Sequence, residues 1–245
     1  MATTLFISDL HLDPARPAIT ALFLRFLAGP ARQAEALYIL GDLFEAWVGD
    51  DDDQPEYGRV TEALRAVADR GVSIGVMHGN RDFLMGENFS ARTGCRLLTD
   101  PTVIDLGGVP TLLLHGDTLC TDDTQYQSLR ATVRDPRWQR AFLARPLEER
   151  RRLAADLRET SREHTARKDE AIMDVNARAV TRAFREHGVQ RMIHGHTHRP
   201  GVHTLTVDGV RVERIVLGDW YEQGSVLWCT PQGVKLTTLD PDADL

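Results

Sequence analysis

The chain has 245 residues, of which 42% are hydrophobic and 27% charged, and its formal net charge is −7. These values exclude a disordered chain, a collagen-like repeat and a disulfide-stapled miniprotein, and they fit a globular protein with a full core. A net negative chain has no global electrostatic attraction for DNA or RNA, so no nucleic-acid partner is expected.

In chain order, Leu5–Ile7, Leu37–Leu40, Ser73–Met77 and Thr111–Leu114 are short apolar runs of the kind that form buried strands. Between them, Ile19–Ala34 and Arg59–Arg70 carry amphipathic helical patterns, and Gly71 is placed to stop the second. From Thr124 to Glu186 no strand pattern is convincing; helix formers and charges dominate, and Pro136 and Pro146 cut the segment into short helices. After Met192-Ile193, runs at Val202–Val207 and Val210–Leu217 flank Asp208-Gly209, a type I′ hairpin signal, and Ser225–Cys229 and Val234–Thr238 follow. Strands at both ends of the chain predict one layered α/β domain over 1–245, with 124–186 as a helical insertion over one end of the sheets.

One set of residue types recurs just past the predicted strand ends: Asp9-Leu-His11, Gly41-Asp42, Gly79-Asn80-Arg81-Asp82, His115-Gly-Asp117 and Gly195-His196-Thr-His198. Ligands of α/β sheets collect beyond the carboxyl ends of strands. Asp9 and His11 are two apart, as are His196 and His198, so extended backbone turns each pair to one side. Glycine before Asp42, Asn80 and His196 permits a sharp turn and a close backbone approach. Carboxylates, imidazoles and an amide without thiolates suit Mn²⁺, Fe²⁺ or Zn²⁺ better than a structural cysteine site. Seven candidates exceed one tetrahedral ion but divide into two sites if Asp42 bridges. Two ions about 3.5–4 Å apart clamp a phosphoryl group and generate a hydroxide between them.

All five motifs in this order resemble the calcineurin-type metallophosphoesterases. More narrowly, Ser8-Asp-Leu-His-Leu12, Tyr38-Ile-Leu-Gly-Asp-Leu-Phe-Glu-Ala-Trp47, His78-Gly-Asn-Arg-Asp-Phe83, His115-Gly-Asp-Thr-Leu-Cys-Thr-Asp-Asp123, Ala171-Ile-Met-Asp-Val-Asn176 and His194-Gly-His-Thr-His-Arg-Pro200 resemble the UDP-2,3-diacylglucosamine pyrophosphatase family of lipid A synthesis. The resemblance runs from Thr4 to Ser225. It implies a sandwich of two mixed β-sheets flanked by helices, with a helical lid. It also implies one Mn²⁺ on Asp9, His11, Asp42 and His198, and a second on Asp42, Asn80, His115 and His196. Asn80, Arg81, Asp123, Ser161, Lys168 and His196 are implied substrate contacts; where the family pattern has a lid asparagine, this chain has Thr165, with fewer donors and a shorter reach. Asp42, Asn80, Arg81 and His115 would carry catalysis. The implied reaction hydrolyses an amphiphilic UDP-sugar lipid to UMP and 2,3-diacylglucosamine 1-phosphate by hydroxide attack on the phosphorus next to uridine.

Other residues have plainer expected roles. His78 and His194 end strands; Asp82 and Asp117 orient the Gly-Asn turn or metal-bound histidines; Cys120 packs; His164, His187 and His203 are on the surface. The run Asp50–Asp53 lacks the spaced ligands of a calcium loop and reads as a solvated loop near the site's mouth. Residues 130–152 hold eight arginines against three acids, with Trp138, Phe142 and Leu143 among them. They pack as a lid or face anionic lipid and acyl chains, and both readings stay open. Cys95, Cys120 and Cys229 show no paired spacing, the first residues lack a signal-peptide pattern, and no apolar stretch reaches a spanning length. A cytoplasmic protein, peripheral on the inner membrane at most, is therefore expected, with no protein partner inferable. Competing readings are another phosphoesterase of this type, such as a nuclease or phosphatase, and a non-catalytic scaffold.

Overall fold

Leu5, Phe6 and Ile7 are all fully buried, and their alternation sends Leu5 and Ile7 into one apolar cluster and Phe6 into another. Burial on both faces is why this strand reads as an unbroken apolar run. In the computed structural model, which describes residues 3–165 and 174–242 (backbone alone over 160–165), this is β1 (Thr4–Ile7), inside a six-stranded sheet. Strands β2 (Ala36–Leu40), β3 (Ser73–Met77) and β4 (Arg96–Leu98) extend it in parallel on one side.

A second, five-stranded sheet contains β5 (Thr102–Leu106), β6 (Val109–Leu114), β7 (Arg191–His194), β8 (Gly201–Val207) and β9 (Val210–Val216), with β6, β7 and β9 mutually parallel. Antiparallel β10 (Gly224–Thr230) and β11 (Gly233–Leu239) complete the first sheet beside β1. Both sheets are therefore mixed, as expected. Phe6, Leu40, Met77, Leu113, Ile193 and Ile215 fill the space between them. Truncating such a buried phenylalanine costs about 3–5 kcal/mol.

Helices α1 (Pro17–Ala28), α2 (Pro55–Ala68) and α3 (Glu87–Thr93) cover the outer face of the first sheet. Helix α1 is shorter than its pattern predicts because Gly29-Pro30 interrupts it, and a 3₁₀ turn at Pro30–Gln33 follows. Helix α2 starts earlier than predicted, because Pro55 supplies a ready first turn. The brief β4, the half-buried β5 and the single-cluster α3 carry too little periodicity to read in advance. Asp208 and Gly209 have φ of 51° and 80°, the positive pair that a type I′ turn requires.

The segment expected to be helical holds α4 (Thr124–Val133), α5 (Pro136–Leu143), α6 (Leu147–Thr165) and α7 (Ala177–His187). Helix α7 packs Val180 and Phe184 on Leu112, Leu114 and Met192 of the second sheet, whereas α5 and α6 pack Trp138, Phe142 and Leu153 against the first cluster. The acidic run Asp50–Asp53 is not the solvated loop that the sequence led us to expect. Asp50 accepts from Trp47 Nε1 and from the backbone N–H groups of Gly86 and Phe89 at the start of α3. Asp51 pairs with the buried Arg150, and the buried Asp52 pairs with Arg151, as does Asp53. Asp51, Asp52 and Asp53 are where α6 docks on the body, and Asp50 ties the same loop to α3. No helix of the described residues is long and apolar enough to cross a membrane.

Candidate metal centre

Parallel strands leave their carboxyl ends on one edge, and β1, β2 and β3 of one sheet bring Asp9, His11, Asp42 and Asn80 to the same edge as His115, His196 and His198 after β6 and β7. The loops after β1 and β2 run side by side: Asp9 N–H donates to Gly41 O at 3.0 Å and His11 N–H to Asp42 O at 2.9 Å. Asp9, His11, Asp42, His196 and His198 have φ of 55°, 48°, 52°, 67° and 53°. Non-glycine residues enter this left-handed region at a cost of roughly 1–3 kcal/mol each, and such strain gathers where a site requires it. Among the described residues only Asp208, in its hairpin turn, shares this backbone state. A Cβ on Gly79 would collide with the carboxylate and backbone of Asp42, and one on Gly195 with Asp9 and Ser8. Close approach is why glycine precedes Asn80 and His196.

The seven predicted ligands converge in two halves. In the first, His11 Nε2 lies 4.0 Å from Asp9 Oδ1 and 3.6 Å from Asp42 Oδ2, and His198 Nε2 lies 3.4 Å from Asp9 Oδ1. In the second, Asn80 Oδ1 is 2.9 Å from both His115 Nε2 and His196 Nδ1. Asp42 Oδ2 is also 3.9 Å from His115 Nε2, so this oxygen stands between the halves. Ser8 Oγ and His196 N–H donate to Asp9 Oδ2, and Arg81 N–H donates to Asp42 Oδ1, which aims the opposite oxygens inward.

Three supporting residues carry no motif that flags them. Glu45 faces His11 Nδ1 at 2.9 Å, Asp219 faces His198 Nδ1 at 3.5 Å, and Tyr221 stacks on the His11 ring. Glu45 sits within the Gly-Asp-Leu-Phe-Glu stretch and Asp219 in Gly-Asp-Trp-Tyr, and only the fold shows what they touch. His115 Nδ1 donates to the Leu40 carbonyl at 2.9 Å. Asp117 receives Tyr126 Oη and Arg130 Nε. Asp82 does hold the Gly-Asn turn, accepting from Gly79 N–H, and also from Leu43 N–H.

Burial alone would raise the carboxyl of Asp9, but the adjacent His198 and the charges of the surrounding histidines hold it well below the usual carboxylate range. Burial likewise opposes a charged His115, yet Asp42, Asp117 and Asp9 outweigh it and push that imidazole up to about 9. Burial and the neighbouring His115 push His196 down to about 4. Glu45, held by His11 and by the charges of Arg81 and Arg158 against its own burial, falls to about 2.

Two buried polar atoms aimed into the centre, Asp9 Oδ1 and His11 Nε2, have no hydrogen-bond partner among the described residues. Ligand atoms of Asp9, His11 and His198 lie within 4.8 Å of one another, as do those of Asp9, Asp42 and His115. Orphaned acceptors on hard carboxylates and neutral-capable imidazoles fit divalent cations.

Asn80 and Arg81 also border a cavity of about 120 Å³ with Trp47, Phe83, Trp138 and Phe142 among its walls. The Trp138 and Phe142 rings stack at 5.0 Å and line this cavity. Asp123 caps α4 by accepting from Tyr126 N–H. Lys168 and the side chains of Ser161, Thr165 and His164 lie outside the described residues. His78 faces Met85 O, His194 sits between Gly195 O and Arg214, Cys120 is buried, and His187 and His203 are exposed.

A family model described as calcineurin-like phosphoesterase matches residues 2–200. A protein of Xanthomonas oryzae pv. oryzae named UDP-2,3-diacylglucosamine hydrolase is 56% identical over 241 residues, covering 96% of this chain and 98% of that one. One of the same name from Stenotrophomonas maltophilia is 53% identical over 244 residues, covering 97% and 98%. Among solved structures, a phosphoesterase from E. coli aligns with a TM-score of 0.49 at 17% identity, covering 98% of this chain and 93% of that one.

Proposed function

This chain belongs to the calcineurin-like phosphoesterase family, a metal-dependent hydrolase of two mixed sheets, and from that premise we propose that it hydrolyses UDP-2,3-diacylglucosamine to UMP and 2,3-diacylglucosamine 1-phosphate in lipid A synthesis. The observation that carries this reading is the direct opening of a carboxylate–imidazole centre into an apolar cavity, through Asn80 and Arg81. A phosphate ester with two acyl chains needs both. The names of the two relatives support the same substrate.

Two manganese ions are the proposed cofactor, one held by Asp9, His11, Asp42 and His198 and the other by Asp42, Asn80, His115 and His196. When bound, such ions supply a deprotonated water at neutral pH and neutralise charge on the phosphoryl group. The chain's own residues set direction and charge. Water adds to the phosphorus next to uridine, the bridging P–O bond breaks, and its electrons leave on the sugar 1-phosphate. A guanidinium is a hydrogen-bond donor and not a general acid, so Arg81 donates hydrogen bonds to phosphate oxygens and supplies no proton to a leaving group. A diphosphate needs none, because its leaving group is already a stable anion, whereas an alkyl phosphomonoester expels an alkoxide. Asp123, Ser161, Thr165, Lys168 and His196 are proposed as further substrate contacts, and α4–α6 as the lid.

A cytoplasmic protein with peripheral contact at the inner membrane follows from a substrate of this kind. Exposed Leu143 at the end of α5, among arginines, supports that contact. Turnover of diacylated UDP-glucosamine in ¹⁸O-water tests the reading: label should enter UMP, and glycerol phosphate should be slower by orders of magnitude. No turnover, or label in the lipid product, would refute it.

A further inference from the structure

The two halves of the centre have different flanks. Asn80 borders the apolar cavity, and so does Glu45 behind His11, but the rings of His11 and His198 themselves do not line it. Beside them lies Tyr221, its ring stacked on His11 at 5.2 Å and 13° and tilted against His198 at 5.4 Å. This tyrosine is 44% exposed, which is unusual for an aromatic ring so close to a buried polar cluster. Arg16, just before α1, sets its guanidinium carbon 4.8 Å from the Tyr221 ring centre and donates to the His11 carbonyl.

Among the described residues Arg16 has no carboxylate within ion-pair distance, and its Nη1 is buried without a hydrogen-bond partner. The nearby acids are engaged elsewhere. Asp13 accepts from Ala15 N–H and faces Arg158 at 3.7 Å, while Asp219 faces His198. A cation pinned on an aromatic face without its own anion, beside a phosphoryl-handling centre, is a site for an anionic ligand.

We infer that Arg16 and Tyr221 form the subsite for the nucleotide half of the substrate, a nucleoside monophosphate, on the side of the centre away from the apolar cavity. This rests on the substrate reading above: a diphosphate with acyl chains at one end and a nucleoside at the other must span the centre. With the acyl chains in the cavity on the Asn80 side, the nucleotide leaves past His11 and His198. Arg16 then pairs with the phosphate or the ribose hydroxyls, and the exposed edge of Tyr221 lies along the nucleoside.

The test uses the manganese-loaded full chain with UMP as the probe. Wild-type turnover should be inhibited by UMP. Arg16→Gln should weaken that inhibition about tenfold, corresponding to about 1.4 kcal/mol. Arg16→Lys should recover part of it, and Tyr221→Phe, which keeps the ring on His11, isolates the hydroxyl with an expected loss of about threefold. Inhibition by the lipid product and bound manganese should be unchanged in all three. Failure of UMP to inhibit wild type, unchanged UMP inhibition in both Arg16→Gln and Tyr221→Phe, or loss of manganese with the weakened inhibition would overturn the subsite. If wild type hydrolyses the diacylated UDP-sugar while UMP inhibition ignores these variants, only the subsite fails. If it cleaves bis(p-nitrophenyl) phosphate but not the UDP-sugar, and Arg16→Gln still relieves UMP inhibition, the subsite stands and the substrate reading fails.

Discussion

Replacing Glu45 with glutamine should weaken the first half of the centre without touching a proposed ligand. Glu45 Oε2 lies 2.9 Å from His11 Nδ1, and its side chain is only 7% exposed. Burial opposes its charge, yet the bond to His11 with the Arg81 and Arg158 charges brings it from 4.5 to about 2. At about 1.36 kcal/mol per pH unit, that net shift corresponds to roughly 3 kcal/mol. Glutamine keeps an acceptor at the same place but removes the negative charge that makes the imidazole a stronger ligand. Loss of such a partner lowers metal affinity about 10- to 100-fold, or about 1.4–2.8 kcal/mol. Manganese binding to apo protein, measured by competition with a chelating dye at pH 7.5, should show one weakened and one unchanged site. The sign of the pH effect follows from the depressed carboxyl. Its stabilisation is present above the unfolded value of 4.5 and is lost as pH falls through about 2. In the apo protein, the wild-type advantage in melting temperature should therefore shrink below about pH 4. Two unchanged manganese affinities, or an advantage constant from pH 7 to pH 3, would refute this account of Glu45.

Asp42→Ala removes the oxygen that stands 3.6 Å from His11 and 3.9 Å from His115, so metal analysis should show losses from both halves, exceeding those of His11→Ala; two retained ions per chain would contradict bridging. Asp100, pushed up to about 6 by burial and by Asp117, favours the folded state fully below 3.8 and loses that contribution as pH rises through 6. Asp100→Asn should therefore gain stability relative to wild type between pH 4 and 8, by up to roughly 3 kcal/mol in denaturant melts. Arg150→Ala leaves the Val48 carbonyl, now bonded at 2.6 Å, without its donor and removes the Asp51 pair. A cost of about 2–4 kcal/mol is expected, against less than about 0.5 for the exposed Arg152→Ala; equal melting temperatures for the two would mean that α6 does not dock through this pair.

Much of the centre was legible because its chemistry is local. An acid and a histidine two apart, or a glycine before an asparagine, need only a strand to precede them, and unbroken apolar runs such as Leu5–Ile7 announce strands buried on both faces. Asp9, His11, Asp42, Asn80, His115, His196 and His198 could therefore be grouped from the chain alone, as could the hairpin at Asp208-Gly209. Their meeting across two sheets, however, is a matter of long-range strand order. Glu45, Asp219 and Tyr221 escaped notice because a supporting residue has no spacing rule; it is defined by the ring it touches. The same limit misread Asp50–Asp53, whose partners Arg150 and Arg151 are about a hundred residues away along the chain. Local pattern determines which residues can do chemistry and which strands are buried. Only the packing of distant segments decides which acid faces which base, because that choice is made by contact in space and leaves no period in the sequence.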